Sequence, residues 1–255
     1  MGRFVLIGGG QNGYHKECYE TGPIDRAIVE MAGRKNPHFL FIGLANGNPD
    51  GYCGAMRRTF GKQYGCRMEY LSKQLLEAGA WEKIDKLLAW ADIIYAAGGN
   101  TLKQMKLFRK YGLDARLRAA CENGNQIFCG VSAGAICWCR YGGSDSLHYQ
   151  KEPEKLTKLR GLDLAPVLFC PHITTESYRI HALKKLMQNV HDVPALACDY
   201  AAIAIDGEEV RVLGLQDARE DAICLRRGKT KEGKLEVLEE KLVPGRVYRL
   251  SELAR

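Results

Sequence analysis

The chain has 255 residues, 46% of them hydrophobic and 26% charged, with a formal net charge of +7. Such a composition is that of a globular protein, and no run of ~18 apolar residues suits a membrane span. Its basic residues are scattered or grouped on expected helix faces (Lys103, Lys106, Arg109, Lys110) without an aromatic platform, which argues against a nucleic-acid partner.

The N-terminus enters an apolar strand-like run at Arg3–Ile7. It shows neither the charged leader nor the cleavage site of a signal peptide, so a cytoplasmic location is expected. A helix is expected at Pro23–Gly33, a strand at His38–Leu44, a helix around Gly54–Tyr64 and a short strand at Arg67–Leu71. Trp81–Trp90 is amphipathic, with Ile84, Leu87, Leu88 and Ala91 on one side. A strand at Asp92–Ala97 precedes a helix at Thr101–Arg109 capped by Asn100, a helix at Leu113–Cys121 and a buried strand at Gln126–Gly130. Near-continuous apolar strands alternating with helices predict an α/β fold with a mostly parallel sheet covered on both faces. From about residue 195 the chain turns β-rich, with strands expected at Ala195–Cys198, Ala202–Asp206, Val210–Leu213, Ala222–Arg226 and Val247–Leu250. With no repeat or linker, a single domain over 1–255 is expected.

The ten cysteines form no Cys-x-x-Cys pair, and several sit in apolar runs such as Leu168-Phe169-Cys170. Buried free thiols are the better reading, and neither a zinc site nor any other metal or cofactor is expected.

The sharpest chemical signal is Gly130-Val131-Ser132-Ala133-Gly134, between a strand and a helix-compatible run. A serine on such a strained strand-to-helix turn points out of the C-terminal edge of the sheet, and small neighbours let the backbone pass closely. The N–H of Ala133 then faces the same space as an oxyanion donor. A plain helix cap is the bland alternative. A second glycine turn, Ala97-Gly98-Gly99-Asn100-Thr101, opens at the same edge, so Gly98 or Gly99 could supply the second donor.

Gly8-Gly9-Gly10-Gln11-Asn12-Gly13 formally fits a dinucleotide fingerprint. No helix opens at Gly13, however, and the next strand ends without an acidic residue for a ribose. A backbone loop lining a hydrolase cleft explains these glycines better.

Of six histidines (15, 38, 148, 172, 181 and 191), His172 stands at the end of an apolar strand and is the candidate base for Ser132. Its orienting acid is open among Asp145, in a loop after the serine turn, and Asp199 and Asp206 around a later strand. Glu176 follows His172 too closely for that role unless the loop folds back.

Taken together, Gly8-Gly9-Gly10, Gly98-Gly99-Asn100-Thr101, Gly130-Val131-Ser132-Ala133-Gly134-Ala135 and Pro171-His172 resemble the dipeptidase E (aspartyl dipeptidase) and cyanophycinase family of serine peptidases, over roughly residues 4–206. The resemblance implies a flavodoxin-like or class I glutamine-amidotransferase-like three-layer sandwich. Ser132 would be the nucleophile, His172 the base, and Gly98 or Gly99 with Ala133 the oxyanion hole. Tyr200 stands where the family often places a glutamate, which ranks Asp145 first as the third member and Asp199 second. The implied partner is a small peptide, with an aspartyl dipeptide expected. Asn100, Glu176 and Arg179 are candidate binding residues: Arg179 for an acidic group, unless it is an ordinary exposed helix arginine, and Glu176 for a substrate amine. Two alternatives stay open, a non-peptidase amidase of the same fold and a decayed small-molecule binding protein. A homodimer is compatible with these features, which do not set the oligomeric state.

Overall fold

The computed structural model describes residues 2–14, 18–147, 155–214, 221–230 and 232–254; His15 and His148 lie outside these ranges. Its strands, in chain order, are β1 (Arg3–Ile7), β2 (His38–Ile42), β3 (Arg67–Leu71), β4 (Ile93–Ala96), β5 (Ile127–Val131), β6 (Cys139–Ser144), β7 (Thr157–Arg160), β8 (Ala165–Pro171), β9 (Ala195–Asp199), β10 (Ala201–Asp206), β11 (Glu209–Gly214), β12 (Asp221–Lys229), β13 (Leu235–Lys241) and β14 (Val247–Arg249).

They form two sheets. An eight-stranded sheet runs β14-β11-β10-β1-β5-β4-β2-β3, and a six-stranded sheet runs β13-β12-β9-β8-β6-β7. In the first, β1, β5, β4, β2 and β3 pair parallel, while β10, β11 and β14 extend the sheet antiparallel. In the second, β6, β8 and β9 are parallel and the outer strands antiparallel. The expected α/β fold with a parallel core is present, but the mostly parallel sheet is corrected to two mixed sheets. Connection length explains the change. The first strands are joined by helical crossovers, which permit parallel pairing, whereas Gly207 (φ 57°) and the Thr230–Lys234 turn close hairpins that force antiparallel pairing.

The central strands bury both faces, as their near-continuous apolar sequences require. Val5, Ile7, Phe39, Phe41, Ile93 and Tyr95 point to a layer containing Ile24 and Ile28 of helix Gly22–Met31 and Tyr52 and Met56 of helix Pro49–Met56. Their alternates Phe4, Leu6, Leu40, Ile42 and Ile94 meet helices Trp81–Trp90, Thr101–Lys110 and Leu113–Asn123. Phe169 and Leu196 of the second sheet join that same cluster. Helix Tyr178–Met187 covers the other face of the second sheet through Leu183 and Met187.

Several expected elements change extent. The helix expected around Gly54–Tyr64 is helix Pro49–Met56 passing into a π-helical stretch, Arg57–Gln63. The run after Ser132 is a single helical turn, Ala133–Ile136. Strands β6, β7 and β13 were not anticipated: Gly142-Gly143 break the apolar alternation in β6, and β13 (Leu-Glu-Val-Leu-Glu-Glu-Lys) reads as polar surface. Eight of the ten free cysteines are buried, as expected for thiols in apolar runs. Among the described residues no helix is long and apolar enough to cross a membrane.

One consequence of this topology positions the site. A single residue, Tyr200, separates β9 of the second sheet from β10 of the first, with φ 48°. The chain also leaves β5 of the first sheet at Ser132 and reaches β6 of the second within seven residues. The C-terminal ends of β1, β5, β8 and β9 thus converge on one seam between the sheets.

Candidate active site

Ser132 follows β5 with φ 54° and ψ −116°, a conformation that L side chains rarely adopt. It is held there by its N–H donating to Ile7 O (2.9 Å) and by its carbonyl accepting from Ala135 and Ile136 (3.0 Å each). The neighbouring glycines are required by close packing. A Cβ on Gly130 would lie 2.5 Å from Ala96 O, and one on Gly134 2.0 Å from the same atom. The first-turn N–H of Ala133 has no intrahelical acceptor, so it is free to serve a ligand oxygen.

His172 follows β8, also with positive φ (61°), and its N–H donates to Gly8 O at 3.1 Å. Its Nε2 lies 2.9 Å from Ser132 Oγ. Its Nδ1 lies 3.9 Å from Asp199 Oδ1. Ser132, His172 and Tyr200 are three of the five described non-glycine residues with positive φ, so backbone strain concentrates at this seam. Burial pushes the His172 imidazole below its usual range, with the Arg179 charge acting the same way; Asp199, Glu176 and Asp145 oppose both.

Asp199 is fully buried at the end of β9. Its Oδ2 accepts from Thr174 N (3.2 Å), Thr175 N (2.9 Å) and Thr175 Oγ1 (2.8 Å), and its Oδ1 from Tyr200 N (3.0 Å). These donors satisfy the oxygens of a buried side chain, which would otherwise be costly to remove from water. Asp206 lies at the far end of β10 opposite Arg3, away from the seam.

The ranking of Asp145 as the acid beside His172 is corrected. Its Oδ2 accepts from Arg179 Nη2 at 2.9 Å, and it is Asp199 that faces the imidazole. Position along the chain misleads here because β6 intervenes and carries Asp145 to the Arg179 side. Arg179 is not an exposed helix residue either: its side chain is 3% exposed and is shared between Asp145 and Glu176, with Nε donating to Glu176 Oε2 at 2.8 Å. Glu176 also accepts from Tyr178 Oη at 2.8 Å and keeps 37% of its side chain exposed.

The glycine turn 98–99 borders the serine. A Cβ on Gly98 would approach Ser132 Cβ at 3.8 Å, while Gly99 (φ 144°) passes so close to Ala45 O that a Cβ would meet it at 2.5 Å. Asn100 spends its Oδ1 capping the following helix through Lys103 N (2.8 Å), as its position predicts, and Thr101 N donates to Ser146 Oγ at 3.1 Å. Beneath the turn, the buried Tyr52 hydroxyl accepts from Asn12 Nδ2 and faces the Gly98 N–H. This Tyr52–Asn12 support and the Thr174–Thr175 cradle were missed in the sequence, since neither forms a recognisable motif. The N-terminal glycines take part as backbone: Gly8 N donates to Ala201 O at 2.9 Å.

The sequence model of peptidase family S51 matches residues 4–213. The chain belongs to that family. It is 31% identical over 202 residues to the peptidase YgaJ of Bacillus subtilis (strain 168), covering 79% of this chain and 82% of that protein. Its fold is shared with a peptidase from an acI-B1 Actinobacterium (TM-score 0.69, 18% identity, 98% of this chain and 97% of that one). A putative peptidase E protein from Listeria monocytogenes EGD-e matches with a TM-score of 0.59 at 18% identity, over 85% of this chain and all of that one. Membership in family S51 makes the chain a peptidase, in agreement with the dipeptidase E resemblance of its motifs.

Proposed function

We propose that this family S51 member hydrolyses small peptides through an acyl-enzyme on Ser132, with His172 as general base and Asp199 as the acid that orients it. The observation that carries this reading is the 2.9 Å contact between Ser132 Oγ and His172 Nε2, made by a serine held at φ 54°. A neutral imidazole, favoured by its burial, accepts the Ser132 proton as Oγ attacks the scissile carbonyl carbon. Asp199 favours the tautomer with the proton on Nδ1, which leaves Nε2 as the acceptor. The developing oxyanion is met by the N–H of Ala133 and of Gly99; we assign Gly99 because the Gly98 N–H faces Tyr52. As the C–N bond breaks, Nε2 returns its proton to the leaving amine. Water then attacks the acyl carbon as His172 takes its proton, the C–Oγ ester bond breaks to release the acid, and Nε2 returns the proton to Ser132 Oγ.

The aspartyl-dipeptide preference implied by the family resemblance calls for a cation facing the substrate. Arg179, the expected one, is buried and already matched by two carboxylates. That observation favours a second reading, hydrolysis of peptides or amides without an acidic group, by the same chemistry.

Labelling with a fluorophosphonate probe followed by peptide mapping tests the nucleophile, with turnover of a short-peptide panel measured in parallel. Ser132 is expected to carry the label, and Ser132→Ala to lose on the order of 10³-fold or more in kcat/KM. Undiminished turnover by Ser132→Ala would overturn the assignment.

A further inference from the structure

We infer that Tyr52, braced by Asn12, is a positioning residue that holds the glycine turn so that the N–H of Gly99 meets the oxyanion. The inference rests on the reading of Ser132 as nucleophile and Gly99 as an oxyanion donor.

Backbone accounting isolates the donor. The run Ala97–Thr101 passes the nucleophile closely, since a Cβ on Gly98 would lie 3.8 Å from Ser132 Cβ. Each N–H of the run must be met by a protein acceptor, by solvent or by a ligand. Ala97 N donates to Ile42 O (2.9 Å), Asn100 N to Ala45 O (3.4 Å) and Thr101 N to Ser146 Oγ (3.1 Å). The Gly98 N–H is directed at Tyr52 Oη. Among the described residues, Gly99 N is the one donor of this run without a protein acceptor, and Gly99 is exposed, so a ligand oxygen can reach it.

A peptide plane between two glycines swings easily, so a donor on it needs restraint from outside the turn. Tyr52 restrains the peptide one residue earlier, through Gly98. Its own place is fixed. The side chain is 4% exposed, its ring packs on those of Phe41 and Tyr14 (centroids 5.3 and 4.8 Å away), and its helix is capped by Asn48 Oδ1 accepting from Gly51 N at 3.0 Å. Burial pushes the phenol well above its usual range, so the hydroxyl keeps its proton and offers two lone pairs. Asn12 Nδ2 donates to one of them and leaves the other for the Gly98 N–H. Asn12 is itself 6% exposed and is placed by its bridge to Tyr19. The N-terminal run Gly8–Gly13 thus serves the site through the side chain it delivers beneath the turn.

The test compares the full-length wild type, Tyr52→Phe, Asn12→Ala and the double variant on whichever peptide of the short-peptide panel is turned over fastest. Fluorophosphonate labelling of Ser132 to completion counts the active sites, so kcat per labelled site does not depend on the fraction of folded enzyme. Tyr52→Phe removes one oxygen and keeps the ring. Its kcat is expected to fall on the order of 10-fold with KM within about twofold, because an oxyanion contact strengthens in the transition state. The loss is smaller than the ~10²–10³-fold for deleting a donor outright, since the N–H remains but is no longer held. A boronic acid bearing the same acyl-side residue forms a tetrahedral adduct on Ser132 with an oxygen in the oxyanion hole, and it should lose affinity by the same factor as kcat/KM. Asn12→Ala should cost a few-fold, and the double variant no more than Tyr52→Phe alone, since both act through one hydroxyl. A wild-type kcat in Tyr52→Phe, a loss confined to KM, or additive losses in the double variant overturns the inference, while a labelled Ser132 leaves the peptidase reading standing. No turnover by the wild type together with an unlabelled Ser132 overturns both.

Discussion

His172 Nδ1 and Asp199 Oδ1 face each other at 3.9 Å, with the bare Cα of Gly9 beside both. That separation exceeds the ~2.7–3.2 Å of an N–H···O hydrogen bond, so the carboxylate acts on the imidazole through its field in this arrangement. The candidate site is thus assembled from three strand ends, β5, β8 and β9, drawn from two sheets.

Removing that field should cost more than removing the other nearby carboxylate. Asp199→Asn is expected to lower kcat/KM by on the order of 10²-fold, because the amide no longer favours the proton on Nδ1 or the imidazolium that forms. Asp145→Asn, which touches Arg179 instead, should cost less than about 10-fold. Steady-state kinetics of the two variants decides, and an equal or larger loss for Asp145→Asn would restore it as the orienting acid.

Gly9 gives an independent handle on the same geometry. A Cβ there would lie 2.0 Å from Asp199 Oδ1 and 3.2 Å from His172 Nδ1, so Gly9→Ala must displace the acid, the base or the strand end. Activity is expected to fall at least as far as in Asp199→Asn. Gly54→Ala, whose nearest atom would be 3.9 Å away in a helix, serves as the control and should leave turnover intact. A fully active Gly9→Ala would show that the arrangement of His172 and Asp199 is dispensable.

Much of this site was legible in the sequence, and the rest failed for definable reasons. The pairing of Ser132 with His172 could be anticipated because strand ends are readable from apolar runs and because a strained turn needs small neighbours at fixed offsets, 130 and 134. Asp199 was visible only as a second choice: its place beside His172 depends on Tyr200 passing the chain between sheets, and positive φ at a tyrosine has no sequence signature. The Arg179 ion pairs were not foreseen, because helix periodicity marks which face is covered, whereas the pairing with Asp145 depends on where the chain leaving β6 runs. The parallel core was predicted from alternating strands and helices. The second sheet was not, since β6 and β13 lack an apolar alternation to betray them.

The acid limb of the activity profile should report His172. Burial and the Arg179 charge both disfavour the imidazolium, so kcat/KM should rise to its plateau with a midpoint below the ordinary histidine value of about 6.5. Arg179→Met removes one depressing charge and leaves Asp145 and Glu176 unbalanced, both of which favour the imidazolium. The midpoint is therefore expected to move to higher pH, by a margin that Arg179→Lys should largely restore. Removing the cation shared by two carboxylates leaves both without their partner, so a lower melting temperature should accompany it. A destabilised enzyme with an unmoved midpoint would confine Arg179 to a structural role.

A second titration sits in the layer behind the site and should govern stability instead. Asp25 is fully buried in the first turn of helix Gly22–Met31, with Oδ2 accepting from Thr21 Oγ1 (2.8 Å) and Tyr19 Oη (3.0 Å) and Oδ1 unpartnered among the described residues. Burial raises its carboxyl from 3.8 to about 7, against the lowering effect of those two hydrogen bonds. Between these values the native state holds a proton that the unfolded chain has released. Stability contributed by the neutral carboxyl is therefore present in acid, declines as pH rises from about 4 to about 7, and stays lost above. Asp25→Asn keeps the shape and removes the charge, so it should stabilise the protein at pH 8 by about 2–4 kcal/mol relative to its effect at pH 5. Urea unfolding of both proteins at the two pH values provides the comparison. A wild type whose stability does not fall across this window, or an Asp25→Asn effect equal at both, would mean that Asp25 ionises as readily inside the fold as outside it.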